Sequence, residues 1–202
     1  MTRVRAVIWD FEGVLLQSDG GFKQMLVSRL GVPPEAADRV LHSPMTDSWD
    51  LGEISDDEFY LHILKELNLP AEMKAVLERG VVEDFFIDRA LLAYIRGVHA
   101  ACATALLTNF PARIHDLMRT AWQVDGTFDH IVASCDVRLL KPDPRIIGLA
   151  LERVGVNAGE AIMVDDQLPN VAAARELGMA AVHFRGRAQA IADVEMRLLT
   201  AA

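Results

Sequence analysis

Cysteine is scarce in this chain. Its two copies, Cys102 and Cys135, lie far apart and in no C-x-x-C spacing. That excludes a disulfide framework, fits a reducing compartment, and leaves both to read as core or near-core thiols. Positive charge is also short: 20 Lys and Arg stand against 29 Asp and Glu, a formal net charge of −9, with no basic cluster to offset it. Such a balance excludes nucleic acid as a partner and leaves small molecules, or anions drawn to a local site. Long apolar runs are missing. Arg3 and Arg5 precede only Ala6 to Trp9 before Asp10 and Glu12 break the run, so no secretory signal is expected. The most apolar later region, Ala90 to Leu107, contains Arg96 and His99 and reads as two buried elements, with no membrane span expected. The expected location is cytoplasmic, and the expected assembly a monomer or homodimer. The six histidines fall at no ligand spacing and read as structural. There is no internal repeat and no low-complexity stretch.

Apolar residues make up 51% of the 202, ample for a buried core and too many for a disordered chain. The length fits one core domain carrying a small insertion. Val4 to Trp9 is a buried-strand pattern running straight into Asp10-Phe11-Glu12-Gly13. From about Leu16 to Asp88 strand signals vanish. Phe22 to Leu30 reads as a helix stopped by Gly31, and Pro33-Pro34 opens another, running to Leu41. Ser55-Asp56-Asp57-Glu58 is a capping box ahead of an apolar face of Phe59, Ile63, Leu64 and Leu67. Ala71 to Arg79 reads as a helix stopped by Gly80. Trp49 reads as packing within this insertion.

Strand and helix then alternate: helix 89–96, strand 103–107, helix 111–122, strand 131–134, helix 144–154, strand 162–164, helix 170–177, strand 181–184 and helix 188–199. Units of this length imply an α/β fold, a doubly wound parallel sheet with helices on both faces. The division expected is a Rossmann-like core of 1–15 and 89–202 and an all-helical cap of 16–88. Three strands end in polar residues: Asp10 and Glu12, Thr108 and Asn109, Asp165 and Asp166. A parallel sheet gathers these ends on one edge, where ligands of open α/β sheets bind. Clustered carboxylates need a compensating cation, and hard oxygen ligands with room for water and phosphate suit Mg²⁺. Lys141, in a proline-rich loop before a helix, offers a fixed positive charge.

These residues resemble the motifs of the haloacid dehalogenase superfamily. Asp10-Phe11-Glu12-Gly13-Val14-Leu15 is similar to its D-x-D-G opening, and Leu106-Leu107-Thr108-Asn109 to its second motif. Lys141-Pro142-Asp143-Pro144 matches the third, and Val164-Asp165-Asp166 through Gly178-Met179 the fourth. All four occur in order over nearly the whole chain. The resemblance implies a Mg²⁺-dependent phosphatase-type hydrolase acting on a small phosphorylated metabolite, such as a sugar phosphate. Asp10 would be nucleophile and metal ligand, and the Glu12 backbone carbonyl another ligand. Thr108 and the Asn109 N–H would hold phosphoryl oxygens, and Lys141 would offset charge. Asp166 would be the direct metal ligand of the fourth motif, with Asp165 acting through water or on the other face. Asn170 would orient Lys141. The departure is Glu12, where family phosphatases usually carry Asp as acid–base. Two alternatives stay open: a relative that binds phosphate or regulates with weakened turnover, and a 2-haloacid dehalogenase, against which the acidic fourth motif speaks.

Overall fold

The computed structural model describes residues 3–200. The chain begins with β1 (Ala6–Trp9) and β2 (Leu16–Ser18), then five helices: α1 (Gly21–Leu30), α2 (Pro34–Leu41), α3 (Pro44–Asp50), α4 (Asp56–Glu66) and α5 (Lys74–Glu83). It continues through β3 (Phe85–Ile87), α6 (Arg89–His99), β4 (Ala103–Thr108), α7 (Ile114–Thr120), β5 (His130–Ala133), α8 (Ser134–Val137) and α9 (Pro144–Val154). The last elements are β6 (Ala161–Asp165), α10 (Leu168–Glu176), β7 (Ala180–His183) and α11 (Arg187–Thr200).

The central sheet has five strands in the order β5-β4-β1-β6-β7, all parallel. β1 sits in the middle because every one of its residues is apolar and both its edges and both its faces are covered. Its side chains alternate. Ala6 and Ile8 join Ile146 and Ile147 of α9 and Val171 of α10. Val7 and Trp9 join the larger cluster with Leu91 of α6, Ile114 of α7 and Val194 of α11. The period-2 pattern of a strand thus feeds two hydrophobic layers, and the α/β fold expected from the sequence is present.

The stretch expected to be all-helical differs at its ends. β2 and β3 pair antiparallel, Leu16 with Ile87 and Ser18 with Phe85, in a two-stranded sheet separate from the central one. Three residues are too few to show alternation, so neither strand was visible as a pattern. Between them lie helices only, as expected. The capping box at α4 is formed: Glu58 N–H donates to Ser55 Oγ at 3.2 Å, and Ser55 N–H to Glu58 Oε2 at 2.8 Å. Gly80 does not stop a helix; α5 runs past it to Glu83. A Cβ there would lie 2.9 Å from Met25 Cγ, so glycine is what lets α5 cross closely over α1. Two short helices, α3 and α8, were not anticipated, and α7 begins at Ile114, not at Pro111.

Candidate active site

The chain leaves β1 for β4 and β5 on one side, then returns to β6 on the other, so the strand order reverses at β1. The carboxyl ends of β1, β4 and β6 meet at that switch point, where open α/β sheets place ligands. Asp10 follows β1 directly, and its N–H donates to Val164 O at 2.9 Å, which extends the β1–β6 ladder by one bond. The next residues turn back sharply, with the Leu15 and Leu16 N–H groups both donating to Phe11 O at 2.9 and 2.7 Å. Gly13 has φ +83°, and a Cβ on it would lie 2.6 Å from Asp166 Oδ2. Glycine is therefore required twice, for the left-handed backbone and for the close approach to the carboxylate.

Lys141 is the hub. Its Nζ lies 2.6 Å from Asp10 Oδ1 and 2.8 Å from Asp165 Oδ2, with all three side chains buried. Burial works against the Lys141 charge, but Asp10 and Asp165 outweigh it and hold its pKa above the usual value. Burial also pushes the Asp10 carboxyl up, Lys141 pulls it down and Asp165 adds to the rise. Asp10 Oδ1 accepts a further hydrogen bond from Phe11 N–H at 2.7 Å.

The loop bearing Lys141 is held by Asn109. The Asn109 amide donates from Nδ2 to Lys141 O at 3.1 Å, and its Oδ1 accepts from Lys141 N–H at 2.8 Å. Its side chain is thus a clamp, beyond the backbone role expected of that residue. Thr108 is buried, and its hydroxyl has only a 3.5 Å contact with Asn109 O. Asn170 does not touch Lys141 directly. Its Nδ2 donates to Asp165 Oδ1 at 2.9 Å, which also accepts from Gln167 N–H at 2.8 Å, so Asn170 steadies the lysine through Asp165.

The two acids of the fourth motif are unlike. Asp165 spends both oxygens on Lys141, Asn170 and Gln167. Asp166 accepts from Gln167 Nε2 at 2.7 Å on Oδ2, while its Oδ1 is buried with no hydrogen-bond partner. Asp10, Asp165 and Asp166 each bring a carboxylate oxygen within 4.8 Å of the others. His183, at the end of β7, lies 3.0 Å from Asp166 O through Nε2 and fixes that backbone.

All these groups border a cavity of about 500 Å³ lined by Asp10, Glu12, Thr108, Asn109, Lys141 and Asp166. Glu12 is exposed and borders both this cavity and a second one beside it. Desolvation by the surrounding protein, then Asp166, pushes its carboxyl up to about 7 against the pull of Lys141. One acid was missed from the sequence. Asp50, the last residue of α3, has no hydrogen-bond partner on its carboxylate among the described residues, and burial and Glu12 push it up to about 7. No motif marks it, because only the packing of α3 against the core brings it here. Ser134 makes that link: its hydroxyl donates to Asp50 O at 2.6 Å and accepts from Phe110 N–H at 2.9 Å.

The haloacid dehalogenase-like hydrolase family model matches residues 4–178 of this chain. The chain belongs to that family. As a haloacid dehalogenase-like hydrolase it is 28% identical over 186 residues to the sesquiterpene phosphatase of Aspergillus oryzae, covering 91% of each. It is 25% identical over 188 residues to the drimenol cyclase of Aspergillus calidoustus, covering 90% of this chain and 34% of that longer one. A family enzyme of Bacteroides thetaiotaomicron has the same fold, with a TM-score of 0.76 at 18% identity over 90% of this chain and 93% of that one. That enzyme has also been solved with magnesium, at a TM-score of 0.74 and 17% identity, over 89% of this chain and 92% of that one. No helix among the described residues is long and apolar enough to cross a membrane.

Proposed function

We propose that this hydrolase cleaves small phosphate monoesters with Mg²⁺ through an aspartyl-phosphate on Asp10. The observation that carries the reading is the buried, unpartnered Asp166 Oδ1 beside Asp10, with Lys141 bridging Asp10 and Asp165. A buried carboxylate oxygen without a donor is costly unless a cation meets it. The donor set is all oxygen and suits Mg²⁺. Asp10, Asp166 and the Glu12 backbone carbonyl would hold the ion; Asp165, already saturated by hydrogen bonds, would not ligate it directly. When bound, the ion neutralises charge between the carboxylates and the transferring phosphoryl group.

Lys141 and the Phe11 N–H both contact Oδ1 and so orient the Asp10 carboxylate as the nucleophile. In the first step the Asp10 carboxylate bonds to phosphorus, the ester P–O bond breaks, and Glu12 gives its proton to the departing oxygen. In the second, water attacks phosphorus, Glu12 takes the water's proton, and the acyl-phosphate P–O bond breaks to restore Asp10. Thr108 Oγ and the Asn109 N–H would hold phosphoryl oxygens, and Lys141 would offset the charge of nucleophile and phosphate. Residues 16–88 would act as a cap that closes over the site and excludes water. Glu12 in place of the family's usual aspartate favours one second reading, a relative that binds phosphate with weakened turnover. Release of phosphate from p-nitrophenyl phosphate with and without Mg²⁺ tests both. The phosphatase reading expects release that needs the metal; binding of phosphate without release would favour the second.

A further inference from the structure

We propose that the substrate is the monoester of an uncharged, apolar alcohol, whose hydrocarbon part lies in a second cavity between the helical insert and the core. This rests on the phosphatase reading. The cavity measures about 450 Å³, within the range of small-ligand pockets, and its apolar walls are Phe22, Leu41, Trp49, Val81, Phe85 and Phe110. It adjoins the polar cavity, sharing Glu12, Gly20, Gly21, Asn109 and Gln167 with it. A phosphoryl group beside Asp10 would therefore direct its leaving oxygen past Glu12 and its alcohol into the apolar side. The Trp49 ring is fixed there, stacked on Phe59 at 3.8 Å, with its Nε1 already donating to Asp56 Oδ1 at 2.7 Å. It presents ring surface and no free donor.

Several polar groups at the wall are engaged with neighbouring side chains or backbone. Lys23 is paired with Asp38 at 2.6 Å. Arg113 lies 3.5 Å from Asp56 and donates to the Tyr60 hydroxyl. The Thr46 hydroxyl donates to Val40 O at 3.3 Å. A hydroxyl facing the apolar walls would lose its water without replacement.

The test is calorimetric binding of butylphosphonate, octylphosphonate and 3,4-dihydroxybutylphosphonate to the whole chain with Mg²⁺. The P–C bond resists hydrolysis, so binding is read without turnover. Each added methylene should tighten binding about fourfold, so octylphosphonate should bind on the order of 200-fold tighter than butylphosphonate. The dihydroxy compound should bind more weakly than butylphosphonate. Leu41→Glu, at a half-buried wall position, should cut the octyl-to-butyl ratio by about tenfold or more, with thermal melting to show that the variant is folded. Equal binding of the two alkyl chains, tighter binding of the dihydroxy compound, an unchanged ratio in Leu41→Glu, or no binding of any probe would overturn the proposal. Phosphate release from p-nitrophenyl phosphate is scored separately. Chain-length-dependent binding without release would sink the phosphatase reading alone, and release without chain-length dependence would sink this inference alone.

Discussion

Glu12 carries one methylene more than the aspartate usual at this place in the family's phosphatases, and a misplacement of about an ångström costs on the order of 100-fold in rate. Glu12→Gln should lower the hydrolysis of an ester with a poor leaving group by roughly 10²- to 10⁴-fold, and p-nitrophenyl phosphate by less, since its leaving group needs little protonation. Equal rates for wild type and variant on the poor leaving group would remove Glu12 from the acid–base role. Glu12→Asp should keep or raise the rate. Asp10→Asn should abolish turnover and leave the circular dichroism spectrum unchanged, because an amide cannot form the acyl phosphate. Asp10, Thr108, Lys141, Asp165 and Asp166 were legible in the sequence because each stands where a strand runs out or in a motif beside it. The Asn109 clamp and Asp50 were not, because nothing in residue order says which loop an amide will bridge or where α3 will lean.

At the scale of elements, the central strands and most long helices could be read from apolar periodicity, and the α4 start from its capping box. What escaped were pieces of three to seven residues, β2, β3, α3 and α8, too short for their periodicity to stand out. Gly80 was misread because glycine marks helix ends and close helix crossings alike; only the position of Met25 on α1 decides between them. Gly80→Leu should destabilise the protein by about 1–3 kcal/mol through overpacking at this crossing, read from the urea midpoint. An unchanged midpoint would mean that α1 and α5 separate freely. At the first motif, Gly13→Ala should weaken Mg²⁺ binding in calorimetry, because the new methyl group would displace the Asp166 carboxylate. Unaltered affinity would argue against Asp166 as a ligand.

For the whole molecule, the proposed metal site predicts that Mg²⁺ and stability are linked. Mg²⁺ at about 100 times its Kd should raise stability by about 2.7 kcal/mol, seen as a higher melting temperature that EDTA reverses. No shift, together with full turnover in EDTA, would remove the metal from the site. The order of the sheet has a further consequence, in time. β1 is made first yet stands in the middle, flanked by β4 and β6. Its apolar residues leave the ribosome long before β4 begins at Ala103. At roughly 5–20 residues per second, Ala6 to Trp9 wait about 5 to 20 seconds for their first partner strand. During synthesis these residues have no partner strand over that interval, and the site itself cannot assemble until Asp165 and Asp166 have emerged.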